Sequence, residues 1–100
     1  MNLIVDLIVS HAVEEKLNTK FNPVSIVEVE EAFSIFEGKL IEDKRLKNKT
    51  IPPTFWFLSE TYSGRLLKIV IKLDKKNAIA YLRTAYDPDE SEVIFYEDNC

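Results

Sequence analysis

Lys68 and Arg83 are the residues whose types and spacing point most directly to chemistry, and Tyr81 stands two positions before Arg83. Lysine and arginine side chains bind phosphate groups, and an aromatic ring offers a face on which a base can stack, as single-stranded RNA recognition requires. The same cations would stabilise the negative charge that grows on phosphoryl oxygens during RNA cleavage. The competing interpretation is a solvated sheet face with ordinary cross-strand pairs, because half-buried sheets alternate in the same way.

Further candidates are scattered along the chain, and each has a structural alternative. Arg65 follows a predicted hairpin turn, where a guanidinium can bind an anion or simply flank the turn. His11 is the only histidine and stands at the start of a predicted helix. It could act as a general acid or base, or it could be an ordinary polar residue of the first turn. A basic segment that includes Lys44, Arg45 and Lys47 would contact phosphates or form a solvated loop.

The charge of the chain is divided along its length. Residues 39–83 contain eleven Lys or Arg and four carboxylates, whereas residues 1–38 contain two lysines and seven carboxylates. Residues 84–100 contain six carboxylates and neither Lys nor Arg. The formal net charge of −4 hides this division, which predicts a polarised surface with one face suited to an anion.

Composition restricts the remaining possibilities. One hundred residues with 46% hydrophobic content predict a single domain, residues 1–100, with a real core. The single cysteine excludes a disulfide framework and a thiolate zinc cluster, and two glycines cannot supply a phosphate-binding glycine loop. The apolar start carries no basic segment, and no apolar run approaches the roughly 20 residues that cross a bilayer. We therefore expect a cytoplasmic protein without membrane association.

The first half of the chain carries helix signals. Ser10 is predicted to cap a helix over residues 11–19, since glutamates in its first turns suit the positive end of the helix dipole. Ser25 and Glu28 fit the capping box of a second helix, whose apolar stripe extends to Phe36. The β-branched segment before Ser10 predicts a strand or an extended lead-in.

The second half predicts a three-stranded antiparallel meander. Residues 54–62, 65–73 and 78–85 are rich in apolar, β-branched or aromatic residues, and Ser63-Gly64 is a two-residue hairpin signal. The turns fix a register and therefore the two faces of the sheet.

The predicted register assigns each strand residue to one face. The face that packs on the helices comprises Trp56, Leu58, Ile69, Ile71, Ala80 and Leu82. The opposite face carries two rows across the strands, Ser59–Lys68–Arg83 and Phe57–Val70–Tyr81.

The end of the chain supports two interpretations. Asp87-Pro88 and the acidic residues that follow predict a short helix to about Tyr96, whereas the apolar residues within 92–96 also favour an edge strand. The predicted fold is α+β, with two N-terminal helices packed on an antiparallel sheet that contains a three-stranded meander. A short C-terminal helix is left open.

Four segments carry a likeness to a known group: Ser10-His11-Ala12, Ser25 to Phe36 with Glu28-Val29-Glu30-Glu31-Ala32-Phe33, Ser63-Gly64-Arg65-Leu66-Leu67-Lys68-Ile69-Val70, and Leu82-Arg83-Thr84-Ala85-Tyr86. Over roughly residues 11–97 the chain resembles small bacterial domains of the BrnT and DUF4258 type, within the RelE-like group of toxin folds. The resemblance implies a metal-independent endoribonuclease toxin of a type II toxin–antitoxin pair, without a cofactor and neutralised by a cognate antitoxin. By motif match it implies catalytic roles for Arg65, Lys68, Arg83 and His11.

The RNA-binding residues expected around that site are Lys44, Arg45, Lys47 and Tyr81. The chain departs from such toxins in being acidic, with a pI of about 5.0, although nonspecific RNA affinity depends on positive charge. The alternative function is a non-catalytic protein-binding module of the same fold, whose acidic helices or exposed Phe55 and Phe57 dock a partner. The sequence is compatible with a homodimer and does not decide the oligomeric state.

Overall fold

The computed structural model describes residues 5–45 and 50–99. Within these residues the elements follow the order β1 (Asp6–Ile8), α1 (His11–Thr19), α2 (Ile26–Ser34), β2 (Ile41–Glu42), β3 (Thr54–Glu60), β4 (Leu66–Asp74), β5 (Ile79–Tyr86) and α3 (Glu90–Asp98). The strands form one sheet in the order β1-β5-β4-β3-β2, which confirms the α+β prediction. The meander of β3, β4 and β5 is antiparallel as predicted, but β1 lies parallel to β5, so the sheet is mixed. No helix in the described part of the chain is long and apolar enough to cross a membrane.

Both N-terminal helices begin where the sequence predicts. The side chain of Ser10 caps α1, and Ser25 and Glu28 form the reciprocal capping box at the start of α2. The second helix ends at Ser34, two residues before the predicted end of its apolar stripe at Phe36. Local capping chemistry was therefore sufficient to predict where these helices start.

The first hairpin has a longer loop than predicted. Thr61 donates its backbone N–H to the carbonyl of Arg65 over 2.9 Å, so Tyr62, Ser63 and Gly64 form a three-residue loop. Gly64 has a φ of 91°, in the left-handed region that glycine enters without steric cost. The extra residue shifts the register by one and exchanges the two faces of β3 relative to the prediction.

This shift corrects the predicted core face. Phe57, rather than Leu58, faces Ile69, and Phe55 takes the core position predicted for its neighbour Trp56. Phe57 is fully buried and Phe55 nearly so. The hypothesis that these two phenylalanines are exposed for docking is therefore wrong.

The second turn and a bulge displace β5 as well. The turn between β4 and β5 falls one residue later than predicted, with Asp74 opposite Ile79. The register between these two strands therefore moves by two residues, so the β5 side chains before the bulge stay on their predicted faces. A bulge then inserts Arg83 into β5, so that Thr84 lies opposite Val70. The inserted residue reverses the side-chain orientation of the last residues of β5 relative to the first ones.

Both predicted rows of the second face are consequently wrong. Ser59 lies on the helix side, where its hydroxyl donates to a carbonyl of α2 over 2.7 Å. Lys68 pairs with Tyr86 of β5, and Tyr81 pairs with Lys72. The second face does carry Lys68, but its neighbours differ from those expected.

Aromatic contacts lie on both faces of the sheet. On the face covered by α2, Phe36 stacks on Phe57 with ring centroids 4.0 Å apart. On the other face, α3 places the rings of Phe95 and Tyr96 with centroids 6.0 and 5.7 Å from that of Trp56. Trp56 is thus buried as predicted, but on the face opposite to the one expected.

The C-terminal segment is a helix and not an edge strand. Asp89 is the N-cap of α3, and Glu92 completes a capping box with it. The predicted cap, Asp87, is instead paired with Arg65. The capping box between Asp89 and Glu92, three residues apart, outweighs the strand preference of the apolar residues that follow.

Candidate functional site

A two-lobed cleft lies over the sheet face that carries Trp56 and Lys68. Its larger lobe has a volume of about 460 Å³ and is lined by Ile41, Glu42, Asp43, Lys44, Arg45, Trp56, Lys68, Ser91, Glu92 and Phe95. Its smaller lobe has a volume of about 170 Å³ and is lined by Lys16, Asp43, Arg45, Trp56, Lys68, Val70, Arg83, Thr84 and Tyr86. Four of these residues line both lobes, so the lobes form one continuous site.

Lys68 occupies the centre of the cleft and is only 7% exposed. Its ammonium group lies 4.5 Å from the ring centroid of Trp56 and 5.5 Å from that of Tyr86, and it donates a hydrogen bond to Glu92. Burial acts to lower the pKa of Lys68, but the hydrogen bonds with Glu92 and Tyr86 outweigh it and raise that pKa. Lys68 is therefore charged at neutral pH and acts as a fixed cation rather than as a proton acceptor.

Glu92 connects α3 to the cleft through both of its carboxylate oxygens. Oε1 accepts the backbone N–H of Asp89 over 3.1 Å, while Oε2 accepts from Lys68 and, over 3.1 Å, from the hydroxyl of Tyr86. Burial acts to raise the pKa of Glu92, but hydrogen bonds from Lys68 and from the backbone of Asp89 hold that pKa below its usual value. Lys68, Glu92 and Tyr86 thus form one connected cluster of hydrogen-bond donors and acceptors.

Arg83 enters the smaller lobe from the bulge of β5. Its Nη1 donates to the hydroxyl of Thr54 over 3.5 Å, and within residues 5–45 and 50–99 it has no carboxylate partner. Lys16 of α1 lines the same lobe, also without an ion pair to a described residue. β-Bulges re-aim side chains and are frequent beside functional sites. Among the described residues, the smaller lobe therefore offers two cations without a carboxylate partner, which suits the binding of an anion from solution.

Arg45 lines both lobes. Its Nε and Nη2 donate to the carboxylate of Asp43 over 3.0 and 2.8 Å, and these bonds raise the pKa of Arg45. The side chain of Arg45 remains 63% exposed, so it is accessible to a ligand. Lys44 borders the larger lobe. The predicted RNA-binding residue Lys47 lies outside the described residues.

Arg65 is held in a clamp and does not line the cleft. Its Nε and Nη2 donate to Asp87 over 2.8 and 2.9 Å, and its Nη1 donates to Glu28 over 3.0 Å and to the carbonyl of Pro23 over 3.0 Å. The hydrogen bonds to Asp87, followed by those to Glu28, raise the pKa of Arg65. This geometry assigns Arg65 to structure, because its guanidinium already binds two carboxylates.

His11 and Tyr81 also lie outside the lining of both lobes. His11 is 84% exposed on α1, with Nε2 3.9 Å from the carboxylate of Glu15. Tyr81 lies on the second face of the sheet, opposite Lys72 and two residues before the bulge at Arg83. Of the described residues predicted for the site, the structure gathers Lys44, Arg45, Lys68 and Arg83, and it separates Arg65, His11 and Tyr81.

Several cleft residues have no clear signal in the sequence. Tyr86 reaches the site only because of the bulge, which local sequence does not predict. The sequence correctly predicts that Trp56 is buried. The face of the sheet on which it lies depends on the length of the hairpin loop, which the sequence does not fix. Glu92 carries the one usable signal, since its spacing from Asp89 matches a capping box and places it in the first turn of α3.

Comparisons with known proteins yield no family assignment. No protein-family model matches the chain, and no curated protein or solved structure matches it either. The resemblance to BrnT and DUF4258 domains remains a prediction.

The charges that line the cleft suit an anion. Five cationic side chains line it against three carboxylates, namely Lys16, Lys44, Arg45, Lys68 and Arg83 against Glu42, Asp43 and Glu92. In the described part of the chain, no three His, Cys, Asp or Glu side chains are grouped so that they could hold a metal ion.

Proposed function

We propose that this chain is a metal-independent endoribonuclease of the toxin type, which cleaves RNA in the cleft. The observation that carries the proposal is the convergence of Arg83, Lys16 and Arg45 with the buried Lys68 around one small cavity. Cations fixed around such a cavity stabilise the charge that develops on phosphoryl oxygens, without reorganisation during the reaction.

The cluster around Lys68 supplies the remaining chemistry. Arg83 and Lys16 bind the scissile phosphate, and the 2′-hydroxyl of the substrate attacks the phosphorus as the bond to the 5′-oxygen breaks. The carboxylate of Glu92, which is ionised at neutral pH, takes the proton of the 2′-hydroxyl. Tyr86, whose hydroxyl donates to Glu92, gives its proton to the departing 5′-oxygen. Lys68 holds Glu92 in position and adds a fixed positive charge.

The proposed setting is the cytoplasm, and the proposed protein partner is a cognate antitoxin, as the resemblance to BrnT-type domains implies. An antitoxin would block the cleft by placing carboxylates on the free cations. Because the chain carries a net charge of −4, RNA should bind at the cleft and not over the whole surface.

Cleavage by the purified chain tests the proposal. A labelled RNA is incubated in the presence of a chelator with wild type, with Arg83→Ala and with Lys76→Ala. Lys76 is an exposed lysine in the turn between β4 and β5, so its replacement removes the same charge away from the cleft. We expect Arg83→Ala to reduce the cleavage rate by about 10²- to 10³-fold, as for the loss of one transition-state donor. We expect Lys76→Ala to be unchanged.

Expression in a bacterial host gives a second measurement. Wild type should arrest growth, and Arg83→Ala should relieve the arrest at equal protein level. A wild-type chain that cuts no RNA, or an Arg83→Ala variant that cuts as fast as wild type, contradicts the proposal.

A non-catalytic protein-binding module remains the second candidate, on one specific observation. Ile94 and Phe95 of α3 are 50% and 51% exposed, which is unusual for adjacent large apolar side chains. If wild type neither cuts nor binds RNA, this function replaces the first.

A further inference from the structure

We propose that the larger lobe is a subsite for one unstacked nucleobase, next to the phosphate that occupies the smaller lobe. This inference rests on the proposed function and specifies how the substrate is seated. Phe95 is the residue that recognises the base, and the cations of the smaller lobe recognise the backbone.

The two lobes differ in the charges that line them, and this difference indicates which part of the ligand each lobe binds. The smaller lobe is lined by four cations and by one carboxylate, Asp43. The larger lobe is lined by three cations and three carboxylates, so Glu42 and Glu92 oppose a phosphate there. An anionic group is therefore drawn to the smaller lobe, and a neutral group is preferred in the larger one.

The walls of the larger lobe suit a flat apolar group. Ile41, Trp56 and Phe95 line it, and the ring centroids of Trp56 and Phe95 lie 6.0 Å apart at an interplanar angle of 31°. Phe95 is 51% exposed and so offers part of its ring to a ligand. The volume of about 460 Å³ lies within the range of roughly 300–1,000 Å³ that small-molecule sites span.

The ligand that satisfies both lobes carries a phosphate joined to a flat ring. Because the lobes share Trp56, Lys68 and Arg45, phosphate and ring must be close neighbours in one molecule. A nucleotide unit of single-stranded RNA has this arrangement, whereas the bases of a duplex are stacked and paired and cannot turn into the lobe.

Binding of a non-cleavable oligonucleotide tests the subsite. The probe is a short 2′-O-methyl RNA, compared with the same backbone lacking all of its bases, so that affinity is measured without cleavage. The variants are Phe95→Ala and the matched control Ile94→Ala. Ile94 is equally exposed on the same helix but does not line the cleft. Phe95→Leu keeps the apolar contact with Trp56 and removes only the aromatic ring, in case Phe95→Ala fails to fold.

We expect Phe95→Ala and Phe95→Leu to raise the Kd for the intact probe by between about 5-fold and 150-fold, the range for one base–aromatic stack. Ile94→Ala should bind like wild type. The base-free backbone should bind wild type and both Phe95 variants equally, because it contacts only the cations.

Two results overturn the subsite while leaving the proposed function standing. In one, the Phe95 variants bind the intact probe as tightly as wild type, although wild type still cleaves RNA and Arg83→Ala does not. In the other, a poly-glutamate peptide displaces the intact probe as readily as an RNA competitor does, so that the cleft recognises charge alone. If wild type binds neither probe and cuts no RNA, the proposed function fails and the subsite fails with it.

Discussion

Lys68 keeps its charge at a position that water hardly reaches. A buried ammonium without a partner would lose its proton, but Glu92, Trp56 and Tyr86 together replace its hydration. The pair is buried unevenly, with 9% of the Lys68 side chain and 20% of the Glu92 side chain exposed. Breaking such a pair costs more than its formation gains, because one charge is left buried and alone.

Replacing Glu92 should therefore destabilise the fold in a pH-dependent way. Glu92→Gln keeps the capping geometry, since glutamine also fits a capping box, but leaves Lys68 unpaired. We expect a loss of about 3 kcal/mol in the free energy of unfolding near neutral pH, at the low end for a buried pair because water reaches Glu92. Chemical unfolding measures this loss, with Glu90→Gln, an exposed glutamate of the same turn, as the control.

The pH dependence follows from the pKa directions. The pKa of Glu92 is lowered from 4.5, so its contribution is present above that value and is lost as the pH falls through the lowered pKa. The pKa of Lys68 is raised from 10.5, so its contribution is present below that value and is lost as the pH rises through the raised pKa. The difference between wild type and Glu92→Gln should thus shrink at about pH 3.5. An equal difference at about pH 7 and about pH 3.5 would contradict this account.

Between elements, the Arg65 clamp is a polar connection outside the sheet. One guanidinium joins the start of α2 through Glu28, the loop before it through Pro23, and the segment before α3 through Asp87. Planar, multidentate donation of this kind is specific to arginine. The clamp fixes how α2 and α3 begin on opposite faces of the sheet.

Arg65→Ala should destabilise the protein by about 3 kcal/mol, because it leaves two part-buried carboxylates without their partner. The control is Arg65→Lys, which keeps the charge but cannot bridge both carboxylates, and we expect it to recover less than half of the loss. Thermal and chemical unfolding measure both variants.

Acid should remove the effect of Arg65→Ala. The pKa of Glu28 is lowered by its backbone bond with Ser25 and by Arg65, and the pKa of Asp87 is lowered mainly by Arg65. Their contributions are complete at neutral pH and are lost as the pH falls through the lowered values. A destabilisation that persists unchanged as the pH falls through both lowered pKa values would show that the clamp acts through packing alone.

Helix starts could be predicted from the sequence, whereas strand register could not. Ser10 and Ser25 predict the starts of their helices because capping is local: each side chain accepts the backbone N–H of the residue three positions later. The hairpin register depends on whether the loop at Gly64 holds two or three residues, and the same sequence signal fits both. A one-residue error there reverses the faces of Trp56 and Phe57.

The candidate site was partly predictable for the same reason. The residue types of Lys68 and Arg83 predict a site, and both residues do line one cleft. The β-bulge brings Arg83 there, whereas the predicted cross-strand row of Ser59, Lys68 and Arg83 does not form. Arg65 was predicted from its position beside a turn, and its partners Glu28 and Asp87 are more than 20 residues distant along the chain. Long-range pairing of this kind leaves no local pattern to read.

At the scale of the whole molecule, the chain combines a net charge of −4 with a cleft in which cations outnumber carboxylates. The acidic ends of the sequence form α1, α2 and α3, while the basic middle forms most of the sheet and the segment after β2. Such a distribution repels a polyanion from most of the surface and attracts it to one place. RNA should therefore make few ionic contacts, in contrast to a protein whose whole surface is basic.

The salt dependence of RNA binding tests this picture. Each phosphate neutralised on a single strand contributes about −0.7 to the slope of log K against log salt concentration. Lys68 and Arg45 are already paired with Glu92 and Asp43, which leaves Lys16 and Arg83 of the smaller lobe to contact phosphates, so we expect a slope no steeper than about −1.4. Arg83→Ala should make the slope shallower by about 0.7, and Lys76→Ala should leave it unchanged. A wild-type slope steeper than about −4, or an equal response to both variants, would mean that RNA contacts basic residues well beyond the cleft.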